Sequence, residues 1–436
     1  MLAYNVFIAL KSLRRNRVLT ALIVSGIALG IAVATTFSTV RHVFARDPVP
    51  QKSGVLHYVR MDNWDPAKPY PGSDPTRPPT QITHRDMVEI MKSKIPARQT
   101  GTFRTLYYVY PDPKVGRPFQ QNVRLCFSDF FPMFQTPFRY GSGWDRKADE
   151  SPESVVVLSQ PLNEKLFGGA NSVGKSVRFG EHEFRVVGVL DRFRPSVKFY
   201  DVTQNPYGPP EDAFIPFNFL RPLKVQTVGN RDGWKSPPMP GFEGFLLSET
   251  VWIQMWVELP DRQALSAYQD FLAAYVTEQK KAGRFPRPLN NRVTPLMGWL
   301  REQNVVPREA TAMMVVALLF LAVSALNLMG LLLGKFLARS AEVGVRRALG
   351  ARRLDIFLQH LVECELVGLV GGAIGLLLSL GSLALLNKTG PLKDFFHLDV
   401  PMALLALALS LVAGLIAGAY PAWRICAVPP AVHLKV

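Results

Sequence analysis

TAMMVVALLFLAVSALNLMGLLLG, residues 311–334, holds no charged residue and no proline. Crossing the hydrocarbon core of a bilayer takes about 20 mostly apolar residues in a helix, and this stretch is long enough. Three more blocks meet the same measure: 18–40 (VLTALIVSGIALGIAVATTFSTV), 361–386 and 400–420, none with a proline in its middle. Around them, the 436-residue chain is 48% hydrophobic and only 19% charged, below the roughly 25% charged share of soluble chains. Its mean hydropathy is nevertheless just +0.10, because the apolar residues are gathered in those four blocks. Intrinsic disorder and a small disulfide scaffold are excluded. The reading is an α-helical membrane protein with four transmembrane helices and a large α+β domain, residues 41–310, inserted between the first and second. The first block is too long for the apolar core of a cleaved leader, about 7–15 residues, and lacks a small-residue cleavage site, so it is read as retained.

Orientation follows from lysine and arginine beside the spans, since short cytoplasmic loops hold the excess. Segment 1–17 has Lys11, Arg14, Arg15 and Arg17 with no acid, and 335–360 has six basic residues against Glu342 and Asp355. The short loop 387–399 balances Lys388 and Lys393 with Asp394 and Asp399, and the tail 421–436 adds Arg424 and Lys435. Both termini are therefore expected in the cytoplasm, with 41–310 outside. The net charge of +16 needs no nucleic acid, because the cytoplasmic pieces supply +4, +4 and +2 of it.

Cys364 and Cys426 fall in or beside spans, which leaves Cys126 alone in the outer segment, so no disulfide can form within that domain. It must hold together by its core, and it is long enough to do so. Stretches 55–61, 99–110, 122–127, 154–158 and 251–259 are rich in β-branched and aromatic residues, as strands are. Thr83 can cap a helix running to about Lys94, supported by Asp86, and Asp261 one running to about Lys281. Stretches 63–79 and 194–240, dense in Pro, Gly, Trp and Asp, suit irregular arms. The domain is expected in two lobes, with 121–241 inserted between flanking parts.

GANSVGKS, residues 169–176, matches the phosphate-loop pattern letter for letter through Gly169, Gly174, Lys175 and Ser176. A phosphate loop works because it follows a buried strand and opens a helix whose first amides face the phosphates. Here a helix-like stretch, 160–167, comes before the glycines, and an alternating stretch with a turn at Gly180 comes after. That is a hairpin, and the match is read as false. The seven histidines (His42, His57, His84, His182, His360, His397, His433) are scattered, with no H-E-x-x-H helix, no zinc-spaced Cys/His cluster and no G-x-S-x-G elbow. No catalytic residue, metal or cofactor is expected in this chain.

Glycines recur four apart in the spans, a spacing that lets helix backbones approach closely in lipid. Gly26, Gly30, Gly330, Gly334, Gly371 and Gly375 are the expected packing positions, with Gly368, Gly372, Gly414 and Gly418 at the same interval and Asn327 as the polar group at a helix contact. Four spans make a thin wall, which points to dimerisation. Glu363 and Glu365 sit at the start of the third span and are expected near Arg352 and Arg353. Between spans two and three, RSAEVGVRRALGARR (339–353) reads as a short helix stopped at Gly350 and followed by a second helix.

That loop resembles the cytoplasmic signature of the MacB/FtsX superfamily of ABC-transporter permeases, the type VII architecture. So do the N-terminal ALKSLRRNRVLTA (9–21), Glu363 with the glycine-rich 368–375, and the ending YPAWR (420–424) with Pro429. The resemblance also accounts for the false phosphate loop, because the family's outer domain commonly has an Asn-x-x-Gly-Lys stretch, here Asn171 to Lys175, before a hairpin ending in VVGV (186–189).

The resemblance implies a bacterial inner membrane with 41–310 as a MacB-like periplasmic core, a cytoplasmic ABC ATPase dimer binding ATP and Mg on separate chains, and a second permease copy or paralogue. A periplasmic adaptor and an outer-membrane channel would complete some such assemblies. The ATPase would dock through Glu342, Gly344, Arg346, Arg347, Leu349, Gly350 and Ala351. The implied function is mechanotransmission that exports or extracts a peptide, antibiotic or lipid-linked substrate. The competing class is an FtsX-like or sensor-like subunit that regulates a periplasmic partner without transport.

Overall fold

The computed structural model describes residues 7–9, 12, 17–71, 74–111, 117–151, 153–390 and 395–427. Most of 1–17, Lys393, Asp394 and the end of the tail, with Pro429 and Lys435, lie outside the described residues. The chain divides into two compact units, 47–305 and the combination of 1–46 with 306–436.

The second unit is four helices of span length: α1 (Arg17–Ala45) before the inserted domain, and Arg308–Leu337, Arg353–Thr389 and Val400–Cys426 after it. The inserted unit holds β1 (Leu56–Arg60), β2 (Ile82–Thr83), α2 (His84–Ile90), β3 (Arg98–Tyr110), β4 (Phe119–Cys126), α3 (Phe130–Met133), β5 (Phe138–Gly141), α4 (Arg146–Glu150), β6 (Val155–Leu158) and α5 (Gln160–Phe167). It continues with β7 (Ser176–Phe179), β8 (His182–Leu190), β9 (Ala213–Pro216), α6 (Gly241–Leu246), β10 (Val251–Glu258), α7 (Arg262–Lys281), β11 (Arg292–Pro295) and α8 (Leu296–Glu302). The three later membrane helices are α9 (Arg308–Leu337), α11 (Arg353–Thr389) and α12 (Val400–Cys426), with the short α10 (Ser340–Ala348) between α9 and α11.

In the inserted unit the sheet runs β11-β1-β10-β3-β4-β9-β6-β8-β5. All eight residues of β10, VWIQMWVE, are buried, which suits a central strand covered on both faces. Ile253, Met255 and Val257 enter one apolar cluster with Met87, Tyr268, Leu272 and Val276, while Trp256 enters another with Tyr58, Phe130, Phe134, Tyr200 and Trp299. From Ile253 to Val257 that is the period-2 division of a strand between two cores, while Trp252, at the register shift between Val251 and Ile253, joins the first cluster. The two lobes of this unit are joined through one strand. The long β3 pairs antiparallel with β10 through 98–102 and with β4 through 103–109, so both halves share one strand. At Gly101 an added Cβ would come within 2.7 Å of Met87 Cγ, and glycine there is what lets α2 lie against the sheet.

The helix caps follow local sequence. The Thr83 hydroxyl accepts from the Asp86 amide and opens α2, which ends at Ile90, about one turn short of the expected Lys94, in a turn held by the Met91 amide. The Asp261 carboxylate accepts from the Ala264 amide and opens α7.

The arm 194–240 is ordered by charge. Arg124, fully buried on β4, donates to Asp201 at 2.5 Å and to Glu211 at 2.7 Å, and its guanidinium lies 4.9 Å from the Tyr200 ring centre. Lys198 reaches Glu211 at 3.2 Å, and the Tyr200 hydroxyl donates to it at 3.0 Å. Burial alone would push the Glu211 carboxyl up, but Arg124 and Lys198 hold it well below the usual carboxylate range.

In the membrane unit, α1 packs against α11 and α9, and α12 against α11 and α9. A Cβ on Gly371 would come within 2.8 Å of Ile27, and one on Gly375 within 2.7 Å of the Ala28 carbonyl. Gly26 lies against Leu328, Gly30 against Leu321, Gly368 and Gly372 against Ser410, and Gly418 against Cys364. Thr36 and Ser379 share a hydrogen bond of 3.1 Å between α1 and α11.

Removing one member of a buried ion network leaves its partners uncompensated, at a cost of about 3–5 kcal/mol. Arg124→Met should therefore lower stability by that amount in denaturant unfolding followed by tryptophan fluorescence. A loss below about 1 kcal/mol, typical of an exposed ion pair, would show that Arg124 does not hold the arm.

Candidate functional site

The candidate site is built around the break between α10 and α11. Gly350 takes φ +100°, a left-handed conformation that L side chains avoid, and this ends α10 and turns the chain into α11. On α10, Val343 and Gly344 are buried, whereas Val345 is 50% and Leu349 82% exposed. The helix is thus fastened by one face and presents an apolar pair on the other. Glu342 and Arg346 pair along the exposed surface at 2.8 Å, one turn apart. Arg346 also donates to Gln359 of α11 at 3.1 Å, and Arg347 to the Cys426 carbonyl at the end of α12 at 3.2 Å. Gly350 is exposed and Ala351 half-buried. Sequence reasoning grouped these seven residues as a single contact surface. The structure divides them: Gly344 faces inward, Arg346 and Arg347 anchor the helix to α11 and α12, and Leu349 faces outward. Val345, absent from the sequence-derived set, belongs with Leu349. They are four positions apart, so they lie on one helical face, and that spacing was the available signal.

Behind this helix lies a buried charge cluster. Lys335 of α9 donates to Glu363 of α11 at 2.6 Å, with both side chains only 3% exposed. The Ser12 hydroxyl donates to the same carboxylate oxygen at 2.5 Å and accepts from Arg339 at 2.5 Å. His360, 3.7 Å from Glu363, lies with its ring 4.3 Å from that of Phe336. The expected pairing of Glu363 with Arg352 and Arg353 is not found. Those arginines are exposed at the start of α11, and Glu363 lies about 15 Å further along the helix axis, turned into the bundle. Glu365 packs instead against Gly414, where an added Cβ would come within 3.2 Å of its Oε1. Its carboxylate oxygens have no hydrogen-bond partner among the described residues.

Of the expected packing positions, Gly330 and Gly334 meet nothing within 4 Å, and Asn327 is exposed. The face of α9 turned into the bundle carries Leu321, Ala325, Leu328 and Leu332, and Asn327 is rotated about 100° from Leu328.

The phosphate-loop letters fall in a turn. Gly174, at φ +88°, donates its amide to the Val186 carbonyl, the Lys175 amide to Ser172, and the Val186 amide to the Lys175 carbonyl. Gly169, at φ +80°, belongs to the turn that closes α5. Ser176 opens β7, which pairs with β8, so the amides that would cradle phosphate are spent on the hairpin. Among the described residues, no group of three or more His, Cys, Asp or Glu is placed to hold a metal ion.

The family pattern described as the MacB-like periplasmic core domain matches residues 20–275, and that described as the FtsX-like permease C-terminal matches 314–430. The chain belongs to the MacB/FtsX permease family. It is similar to the macrolide export ATP-binding/permease protein MacB of Agrobacterium fabrum, with 27% identity over 299 residues, 68% of this chain and 40% of that protein. It is also similar to the pyoverdine export ATP-binding/permease protein PvdT of Pseudomonas putida, with 24% identity over 425 residues, 95% of this chain and 57% of that one. A MacB of Brucella abortus is 40% identical over 120 residues, 28% of this chain and 18% of that protein. The chain thus spans 40% and 57% of the first two relatives it matches. Within this MacB/FtsX permease, α10 and Lys335, Arg339, His360 and Glu363 lie in the FtsX-like part, whereas Ser12 precedes both matched stretches.

Either single change, Lys335→Met or Glu363→Met, strands a buried charge, and should destabilise the detergent-solubilised chain by about 3–5 kcal/mol. The double variant, with no charge left to strand, should recover most of that loss on thermal unfolding. Strictly additive losses would mean that the two groups are not coupled.

Proposed function

We propose that this chain is the permease subunit of an ABC transporter whose ATP is bound and hydrolysed by a separate ATPase dimer docked on α10. The observation that carries this reading is the division of α10 into an anchored face and an outward apolar pair, Val345 and Leu349. An exposed apolar pair within a basic loop suits a protein partner, since the docking core of an interface is apolar and its rim polar. In this reading the lysine- and arginine-rich loops face the cytoplasm, which sets both termini there and residues 47–305 in the periplasm.

ATP-driven closure of the motor favours one arrangement of the helices, and a stiff bundle passes that bias to the outer domain. The tight glycine contacts of α1 with α11 and of α11 with α12 support rigid-body movement. The cargo is a peptide, an antibiotic or a lipid-linked molecule engaged by the periplasmic domain. A second copy or paralogue covers the face of α9 bearing Asn327, Gly330 and Gly334, where an amide and close backbone approach favour a helix contact in lipid. A periplasmic adaptor and outer-membrane channel complete the route.

Val345→Asp with Leu349→Asp should abolish copurification of the ATPase and its stimulation by the permease, with thermal stability unchanged because both side chains are exposed. Retained coupling would remove α10 as the docking element. Gly330→Trp should shift the detergent-solubilised assembly towards single permeases in light scattering, and an unchanged mass would place the partner contact elsewhere.

A further inference from the structure

The inserted unit contains a cavity of about 610 Å³ between α2, α7, the end of α6 and the turn at 217–220, a size that takes small ligands. Its lining is apolar on one side, with Met87, Val88, Met91, Phe127, Phe217 and Leu220. Methionines adapt to varied apolar shapes. The polar back wall is closed on itself. Arg284 donates to both oxygens of Asp86 at 2.9 and 3.1 Å and to Glu249 at 2.6 and 3.0 Å, and the Tyr275 hydroxyl donates to Asp86 at 2.7 Å. A ligand therefore meets a wall whose polar atoms are already paired, the second carboxylate, Glu249, being balanced by Arg85 3.8 Å away.

The mouth is different. Arg85 and Arg221 are 39% and 58% exposed in their side chains. Arg85 donates to the Leu247 carbonyl at 3.3 Å and lies 3.8 Å from Glu249, and Arg221 lies 3.5 Å from Glu243. A guanidinium has five N–H donors, so each keeps donors for a ligand. Glu89, the acid in the lining, is held by Lys92 at 2.8 Å. His84, stacked parallel to Phe217 and Trp252, is pushed down to about 4 by burial and by Arg221, so it brings no charge at neutral pH.

We propose that this cavity binds an amphipathic monoanion, its apolar body against Met87, Met91 and Phe217 and its carboxylate on Arg221 and Arg85 at the mouth. Two sources present that chemistry: the free carboxy-terminus of an apolar peptide and a fatty-acyl carboxylate. Occupancy is read by binding alone and does not depend on transport or on the ATPase.

The test titrates the full detergent-solubilised chain calorimetrically with N-acetyl-leucyl-phenylalanine as the free acid, the same dipeptide as its carboxamide, and octanoate. The acid should bind about tenfold or more tightly than the carboxamide, the scale of one charge-assisted hydrogen bond. Octanoate binding in competition with the dipeptide marks an acyl-accepting site, and dipeptide binding without octanoate marks a peptide terminus; both support the proposal. Arg221→Gln, at an exposed position, should erase most of the preference for the acid, and Val88→Trp should block both ligands. No binding by either anion, equal binding of acid and carboxamide, an unchanged preference in Arg221→Gln, or unchanged binding in a folded Val88→Trp variant would each overturn it.

Discussion

A charge removed from water must find a partner, because the desolvation of an isolated ion costs more than the remaining interactions of one domain can supply. Both units of this chain are organised around that constraint. In the membrane unit, Lys335 and Glu363 meet at 2.6 Å and fix α9 against α11 at the level where α10 leaves the bundle. In the inserted unit, Arg124 gathers Asp201 and Glu211 and so draws a proline-rich arm onto the sheet. Apolar packing would tolerate several neighbouring registers of helix or arm. The ion pairs do not, because a shift of one residue would strand a charge.

The spans were legible because length and hydropathy suffice to define them, and the break at Gly350 because only a glycine sits easily at φ +100°. The false phosphate loop was also readable, since a helix before the glycines and alternation after them are local facts. What stayed hidden was long-range. Nothing near Glu363 in the chain announces Lys335, 28 residues away, and Arg352 and Arg353 were nearer in sequence but on a different face. Likewise no local signal reveals that β3 continues from one pairing partner to the next and so joins the two lobes. The direction in which Asn327 and Gly330 point depends on which face of α9 the other helices occupy, and that is a property of the bundle.

In the proposed docking of an ATPase, the two faces of α10 separate mechanical from recognition roles. Val343, Gly344, Arg346 and Arg347 keep the helix in register with α11 and α12, so a push on Val345 and Leu349 cannot be absorbed by sliding of α10 alone. The tight glycine contacts among α1, α11 and α12 act in the same sense, because backbones this close leave little side-chain volume to deform. The proposed site is thereby stiff where it is attached and apolar where a partner would touch it.

The unbroken run of α11 carries a further consequence. At 1.5 Å per residue, its 37 residues reach about 55 Å, well beyond the roughly 30 Å of hydrocarbon. In the proposed mechanism it serves as a lever arm with excess length, and a tilt of about 10° at its Arg353 end would sweep the Thr389 end through roughly 10 Å, by the same rise per residue. Gearing of this kind lets a small angular stroke at one membrane surface become a displacement of molecular size at the other, with no residue changing its backbone conformation in between.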